Sequence, residues 1–231
     1  MKKPDYLLMD IEGTTTSISF VHETLFAYAK DNMHAFLRAH QQDEKVKACL
    51  DDAKTIMMRE GKSIKSVSEV IQEMCHWIEA DRKLGPLKTL QGYIWREGYE
   101  LGKYVSHIYE DVHPAMQNWE ELGIKLGIYS SGSVGAQKLL FAHTGYGDLT
   151  HLLKFYFDTG VGHKRESSSY SEISKRLEAP PQKILFLSDV VEELNAASAA
   201  GLSTAHVVRP GTQDQGYATV ISSFSELKFD D

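Results

Sequence analysis

Two carboxylates lie one residue apart near the start of the chain, between an apolar run and a turn. Asp10 and Glu12 follow the apolar run Tyr6 to Met9 and precede Gly13 and three threonines. Where a chain turns, two such acids can converge, so that one acts as a nucleophile while the other carries a proton. A strand-end acid followed by threonines is also a common turn or helix cap, and this stretch alone leaves both interpretations open.

Three later stretches carry polar side chains suited to a phosphate group and a divalent cation. Ser130 and Ser131 precede Gly132 and a helix pattern, where hydroxyls and backbone N–H groups can hold an anion. Lys164 lies between a short strand and a helix, where its ammonium can neutralise a phosphoryl group. Asp189 follows an apolar strand and offers the hard oxygen ligands that suit Mg²⁺. Taken singly, the serines also fit a loop or N-cap, and the lysine also fits a solvated surface position.

Alternating strand and helix patterns place these residues in a fold. The predicted strands are 6–9, 125–129, 155–157, 183–187 and 204–208, and the predicted helices between them are 115–122, 134–143, 166–177 and 192–200. Repeated strand and helix units predict an α/β fold with a doubly wound parallel sheet. Since ligand sites lie at the carboxyl ends of such strands, we expect the polar stretches at one edge of the sheet.

A helical segment interrupts this alternation after the first strand. Helices are predicted at 23–40, 44–58, 67–78 and 86–101, and in the third of them Val67, Val70, Ile71, Met74, Trp77 and Ile78 recur on one face. We expect an α/β core domain over 1–18 and 105–231 and an inserted α-helical cap domain over 19–104. An insertion beside a strand-end site predicts a lid that excludes water.

The bulk composition excludes several classes of partner. The 231 residues carry a formal net charge of −7 and a sequence pI near 5.8, and the basic residues are dispersed, so no nucleic-acid partner is expected. No apolar run reaches the length of a signal-peptide core or a membrane span, which predicts a cytoplasmic protein with no membrane partner. Cys49 and Cys75 lack a CxxC spacing, and we expect both to be reduced and largely buried.

In their order along the chain, the four polar stretches resemble the four motifs of the haloacid dehalogenase superfamily. Longer runs closely resemble the enolase-phosphatase family of methionine salvage, also called acireductone synthases; these runs are 10–16 with 18–21, 91–96, 129–133, 136–141, 162–164 and 207–211. The resemblance covers nearly the whole chain and is least clear between Asp31 and Lys83. Glu12 favours the narrower family, because most phosphatases of the superfamily carry Asp at that position.

The resemblance implies a haloacid dehalogenase-like core with an inserted helical cap, and a bifunctional enzyme that depends on one Mg²⁺ per subunit. Its substrate would be a small phosphorylated diketone, 2,3-diketo-5-methylthiopentyl 1-phosphate. The diketone would be enolised, and the phosphate then hydrolysed off to leave the acireductone 1,2-dihydroxy-3-keto-5-methylthiopentene. Apolar cap residues, among them Phe20 and Trp95, would receive the methylthioalkyl tail, although core packing explains any single aromatic equally well. A monomer is expected, since the fold needs no partner chain to complete it.

The resemblance also implies roles in phosphate hydrolysis. Asp10 would attack phosphorus and become an aspartyl phosphate, while Glu12 would protonate the leaving oxygen and later activate water. Ser130, Ser131 and Lys164 would hold the phosphate oxygens.

A magnesium site is implied beside the nucleophile. Asp10, the backbone carbonyl of Glu12 and Asp189 would bind the ion, with Glu193 as an outer partner. The ion would act as a Lewis acid in the enolisation step. The sequence does not assign the base of that step, and Glu12 is one candidate.

Other functions share part of this pattern. A general capped small-molecule phosphatase of the same superfamily, or a phosphoryl-transferring mutase, needs the same four motifs. A dehalogenase needs neither Glu12 nor a metal. A phosphorylation-dependent receiver module also has strand-end acids on a doubly wound sheet, but its nucleophile lies on a later strand and it has no helical cap. The sequence therefore favours the enolase-phosphatase, with a generic capped phosphatase as the alternative.

Overall fold

The computed structural model describes residues 1–229 and divides into two compact units. The first contains Met1–Phe20 and the chain from Val105 onward, and the second is Val21–Tyr104. The second unit is therefore one continuous insertion into the first. Among the described residues, no helix has both the length and the apolar character needed to span a membrane.

The second unit consists of helices. A π-helix, Phe20–Phe26, begins at the last residue of the first unit's opening segment and leads into α1 (Ala27–Ala39), α2 (Glu44–Arg59), α3 (Val67–Glu79) and α4 (Gly85–Glu100). The Asp43 and Ser66 side chains cap α2 and α3 by accepting backbone N–H bonds, and Pro86 lies in the first turn of α4, where its missing N–H is not needed. The face predicted for α3 is buried except at its first residue, Val67, which is exposed.

The first unit is built on a six-stranded parallel sheet. Its strands are β1 (Tyr6–Met9), β2 (Lys125–Tyr129), β3 (Leu153–Phe157), β4 (Ile184–Ser188), β5 (Ser203–Val207) and β6 (Val220–Ile221), in the order β3-β2-β1-β4-β5-β6. In the centre, Met9 of β1 pairs with Ile128 of β2 and with Leu187 of β4. The carboxyl ends of these three strands are therefore level.

Helices cover both faces of this sheet. They are α5 (Val112–Glu121), α6 (Val134–Ala142), α7 (Ser167–Arg176) and α8 (Val191–Ala199). Leu7 and Met9 belong to an apolar cluster that includes residues of α5 and α6, whereas Leu8 belongs to one that includes residues of α7 and α8. Because both faces are covered, the central strands are nearly continuous apolar runs rather than alternating ones.

Some boundaries differ from the predicted ones. α5 begins at Val112 rather than at Ala115, because Pro114 falls within the first turn, where a proline costs no helical hydrogen bond. β3 begins at Leu153 rather than at Phe155, and the two-residue strand β6 was not predicted. Both cysteines are free, as predicted, with Cys49 buried and Cys75 half-buried.

Candidate active site

The carboxyl edge of the sheet gathers the predicted site residues. Asp10 follows β1, Ser130 follows its neighbour β2, and Asp189 follows β4, the neighbour of β1 on the other side. Lys164 lies in the loop between β3 and α7. The strand order therefore brings four stretches that are far apart in sequence to one edge.

Lys164 lies between two carboxylates. Its Nζ is 2.6 Å from Asp10 Oδ1 and 2.6 Å from Glu193 Oε2. The rings of Tyr129 and Phe186 flank the ammonium, with centroids 5.7 and 5.9 Å from Nζ. Only 6% of Lys164 is exposed, so a solvated surface position is the wrong interpretation of this residue. A buried cation in direct contact with an acid is suited to neutralising a second anion at that acid.

The two carboxylates keep this buried lysine protonated. Burial alone would lower the pKa of Lys164, but the charges of Asp10 and Glu193 outweigh burial and raise that pKa to about 12. Burial and the nearby charge of Asp10 also raise the pKa of Glu193 above its usual range, against the opposing attraction of Lys164. The cluster therefore contains one permanent cation, Lys164, and two carboxyl groups, so the cation cannot balance both carboxylates when they are ionised.

The turn after β1 is closed by its own backbone. The N–H groups of residues 14–16 all donate to the carbonyl of Ile11, at 3.2, 2.9 and 3.0 Å. Gly13 has a φ of +68°, and a Cβ at this position would collide with the Asp189 carboxylate. The Thr14 hydroxyl accepts a hydrogen bond from the Asp189 N–H at 3.1 Å. The turn therefore holds the loop after β4 directly against the loop after β1.

Asp189 carries an unsatisfied carboxylate oxygen that fits a divalent cation. Its buried Oδ1 has no hydrogen-bond partner among the described residues. Burial and the nearby charge of Asp10 raise the pKa of Asp189 to about 7. A cation held by both carboxylates would satisfy Oδ1 and remove their repulsion. Within residues 1–229 no group of three or more His, Cys, Asp or Glu side chains is arranged to hold a metal ion, and the predicted third ligand is the backbone carbonyl of Glu12.

The loop after β2 is fixed by a buried glutamine. Ser130 is buried, and its Oγ accepts a hydrogen bond from the Gly132 N–H at 3.2 Å. Gln137 of α6 donates through Nε2 to the carbonyls of Gly132, at 2.9 Å, and Phe157, at 2.8 Å. A preset loop that leads into a helix N-terminus is suited to binding an anion.

Glu12 and Ser131 lie in the same two loops. Glu12 is half-buried, and its backbone forms an isolated β-bridge with that of Thr16. Ser131 is also half-buried, and the residue that caps α6 is Ser133, so the cap does not account for Ser131. All six predicted site residues therefore follow strands at the same edge, and among them Lys164 forms a direct ion pair with Asp10.

Three supporting residues have no role in the sequence-based prediction. Ser188 ends β4, and its hydroxyl oxygen lies 3.4 Å from Asp10 Oδ2 and 3.1 Å from Glu193 Oε2. Gln137 fixes the serine loop, and Arg209 contacts the turn after β1. Ser188 is indicated in the sequence only by its place before Asp189, and the other two lie within runs that resemble the family. Ser188 is 178 residues from Asp10 and Arg209 is 195 residues from Thr14, which is why spacing does not reveal these two contacts.

Known proteins resemble this chain along nearly its whole length. The model of the haloacid dehalogenase-like hydrolase family matches residues 4–201. A protein of Thioalkalivibrio sulfidiphilus named Enolase-phosphatase E1 is 44% identical over 220 residues, which are 95% of this chain and 96% of the relative. A protein of Methylococcus capsulatus with the same name is 49% identical over 205 residues, 89% of each chain.

Solved structures share the fold. The UTR4 protein of Saccharomyces cerevisiae has a TM-score of 0.83 and 32% identity, and the match covers 97% of this chain and 100% of the yeast chain. A dehalogenase matches with a TM-score of 0.59 and 16% identity over 98% of this chain and 96% of its own, which shows the fold alone. The predicted fold class, a doubly wound parallel α/β sheet with haloacid dehalogenase-like topology, is confirmed.

Proposed function

We propose a function from a premise that the comparisons establish: this chain belongs to the haloacid dehalogenase-like hydrolases and, within them, to the enolase-phosphatases. The proposed function is that of a bifunctional enolase-phosphatase. It converts 2,3-diketo-5-methylthiopentyl 1-phosphate to the acireductone 1,2-dihydroxy-3-keto-5-methylthiopentene and phosphate. The buried contact of Lys164 with Asp10 is the observation that carries the phosphatase half. The name shared by the relatives supports the enolase half.

Asp10 is the nucleophile of the hydrolytic step. Its Oδ1 is held by Lys164 and accepts a hydrogen bond from the Ile11 N–H at 2.7 Å, which fixes the orientation of the carboxylate. Attack on phosphorus forms an aspartyl phosphate and breaks the bond to the substrate oxygen, which takes a proton from Glu12. Water activated by Glu12 then attacks phosphorus, releases phosphate and restores Asp10.

The phosphate enters a region that already contains its counter-charges. Lys164 neutralises the anion while it approaches the Asp10 carboxylate, and its burial makes that interaction stronger than it would be in water. Ser130 and Ser131 supply hydroxyls from the loop that Gln137 fixes. Because these groups are preset, little reorganisation is needed during the transfer.

Asp10, Asp189 and the backbone carbonyl of Glu12 would hold one Mg²⁺, with Glu193 as an outer partner. The unsatisfied Oδ1 of Asp189 and its raised pKa support this assignment. When bound, the ion offsets the repulsion between carboxylate and phosphate and acts as a Lewis acid on the diketone oxygens. Thr14 positions the Asp189 backbone for this role through its hydroxyl.

Glu12 is our candidate base for enolisation. That step removes a proton from the carbon between the phosphate ester oxygen and the carbonyl; the electron pair forms the carbon–carbon double bond, and the negative charge left on the carbonyl oxygen is neutralised by a proton from water. Glu12 is half-buried in the turn that follows Asp10, so the proton it takes is then available for the leaving oxygen. One carboxyl group would thus serve both half-reactions in sequence.

The test follows both half-reactions in one sample. The purified chain is incubated with Mg²⁺ and the diketone phosphate, while ultraviolet absorbance of the enol and free phosphate are recorded together. We expect the enol signal to precede phosphate release, and both to disappear on chelation of the metal. Phosphate release without an enol signal, equally fast from unrelated phosphomonoesters, would reduce the activity to that of a generic capped phosphatase.

The helical unit and the state of the protein in solution are further proposals. We propose that Val21–Tyr104 is the cap and that the protein is cytoplasmic. We also propose that it is a monomer, and size-exclusion chromatography with light scattering measures this oligomeric state. Core packing accounts for Trp95, whose Nε1 donates to the Leu25 carbonyl at 2.7 Å and whose ring is parallel to that of Phe26. Phe20 belongs to the first unit, where its ring lies 6.5 Å from that of His107.

A further inference from the structure

Arg209 is buried just after β5, although the proposed chemistry makes no use of it. Only 5% of the residue is exposed. Its Nε donates to the carbonyl of Thr14 at 3.1 Å, and its Nη1 donates to Asp111 Oδ1 at 2.9 Å and to the carbonyl of Ser222 at 3.1 Å. One guanidinium therefore ties the turn after β1 to the residue before α5 and to the segment after β6.

Aromatic rings and a carboxylate enclose this guanidinium. The ring centroids of Tyr109 and Phe224 lie 4.4 and 4.9 Å from its central carbon. Asp111 is itself held through Oδ2, which accepts hydrogen bonds from the Ser223 hydroxyl at 3.1 Å and the Phe224 N–H at 2.6 Å. A buried charge is costly unless it is paired and hydrogen-bonded; Nε and Nη1 make such contacts, whereas the buried Nη2 has no hydrogen-bond partner among the described residues. The three hydrogen bonds of the guanidinium fix its position, and the two rings pack against it.

Thr14 connects this rigid group to the proposed metal ligand. Its carbonyl accepts the bond from Arg209, and its hydroxyl accepts the bond from the Asp189 N–H. Thr14 is fully buried, and the preceding Gly13 lies against the Asp189 carboxylate. A displacement of Thr14 therefore moves both the backbone and the surroundings of Asp189.

We propose that Arg209 is a positioning residue for the magnesium site, which fixes Thr14 and thereby sets the placement of Asp189 and the affinity for Mg²⁺. The inference rests on the proposed function, since it takes Asp189 as a metal ligand. Residues that orient a ligand from outside the metal site change metal affinity by about 10- to 100-fold when they are altered. A purely structural arginine would change stability and leave the affinity of the folded protein unchanged.

The test measures Mg²⁺ binding to the full chain without substrate, by calorimetry and by the Mg²⁺-dependent rise in melting temperature. Arg209→Lys keeps the charge and loses the guanidinium fork. Thr14→Val keeps the carbonyl and removes the hydroxyl. Phe224→Leu is the matched control, because it trims a ring over the guanidinium and removes none of its three hydrogen bonds.

We expect Arg209→Lys and Thr14→Val each to weaken Mg²⁺ binding about tenfold or more. In the double variant the free-energy losses should fall short of additive, because both changes break the same link. Phe224→Leu should lower the melting temperature and keep the affinity of the unaltered chain.

Unchanged Mg²⁺ affinity in a folded Arg209→Lys variant, or an equal loss of affinity in Phe224→Leu, would overturn the inference. If Arg209→Lys does not fold, Thr14→Val decides: weaker binding supports the link, and unchanged binding overturns it. An unaltered chain that binds no Mg²⁺ would instead remove the metal site from the proposed function and this inference with it. The failure of this inference is therefore distinguishable from the failure of the proposed metal site.

Discussion

Both units of the chain have ion pairs at the surface, but among the described residues the first unit also buries charged side chains. In the first unit Lys164 is buried between Asp10 and Glu193, with side-chain exposures of 7%, 8% and 11%. In the helical unit the ion pairs that the structure describes lie at the surface, as in Lys54–Asp51, where the side chains are 37% and 73% exposed. Among the described residues of that unit, Gln91 is the one polar side chain in the interior.

This contrast separates charged side chains that can take part in a reaction from charged side chains that are solvated at the surface. Surface ion pairs contribute about 0–1 kcal/mol, because water screens them and the side chains lose freedom. Buried ones carry a desolvation penalty that an apolar replacement would avoid. Retaining Lys164 and three carboxylates at the carboxyl edge therefore makes sense as a site that another anion and a cation complete.

The largest effect is expected for Asp10→Asn in the buried cluster. The amide keeps the size of the side chain and cannot form the acyl phosphate, so phosphate release should fall to the background rate. Circular dichroism and melting temperature check that the fold is intact. Turnover close to that of the unaltered chain would remove Asp10 as the nucleophile.

Lys164→Gln should have the next largest effect, because it removes the buried cation that faces the phosphate. We expect kcat for phosphate release to fall about 100- to 1,000-fold, as for other preset charge-stabilising groups. Lys154→Gln is the matched control, since Lys154 forms an exposed pair with Glu120 in the same unit. If both variants lose activity equally, the burial of Lys164 has no catalytic meaning.

The pH dependence of stability tests the surplus of negative charge. Asp189 has a pKa of about 7 in the folded chain against an ordinary value of 3.8, so the folded state holds a proton that the unfolded state releases. The stabilisation from that proton is fully present below the ordinary value and is lost as pH rises through about 7. The melting temperature of metal-free protein should therefore fall between about pH 4 and 7.

Mg²⁺ should reverse this trend, because it binds the ionised form of Asp189. Thermal melts with EDTA and with Mg²⁺ across that range measure both effects, and the stabilisation by Mg²⁺ should grow with pH. Asp189→Asn serves as the control and should flatten both dependences. An identical pH slope in that variant would show that Asp189 is not the group responsible.

The smallest effect is expected for Lys54→Gln in the helical unit. Its pair with Asp51 is exposed, so the free energy of unfolding should change by about 1 kcal/mol or less and kcat should stay the same. Urea unfolding and steady-state kinetics on the same preparation check both. A loss of activity would mean that the surface charges of this unit take part in catalysis, and the contrast would fail.

The sequence predicts well which residues lie at the carboxyl edge of the sheet, and it predicts poorly the contacts that those residues make. Asp10, Ser130 and Asp189 were predictable because each follows an apolar strand, and parallel strands end at one edge. Lys164 was predictable as a candidate, but its burial and its contact with Glu193 were not. Those depend on how the loop after β3 and the helix after β4 pack at the edge of the sheet, which apolar runs alone do not fix.

Arg209 is a clearer example of a residue whose contacts the sequence does not predict. It lies in a run that resembles the family, yet its partner Thr14 is 195 residues away, and no local pattern connects them. β6 escaped prediction because a two-residue strand has no periodicity to detect. Helices α2, α3 and α4 were predictable because caps, a first-turn proline and apolar spacing all agreed.

The most direct test of the central claim, that Asp10 carries the phosphoryl group, is to trap the intermediate. Glu12→Gln should slow the hydrolysis of the aspartyl phosphate, so acid quench after a single turnover followed by peptide mass spectrometry should find a phosphoryl group on Asp10. The same experiment with both Asp10→Asn and Glu12→Gln should find none. Phosphate release by the Glu12→Gln variant with no phosphorylated peptide at any time, or with the phosphoryl group on another residue, would contradict the account.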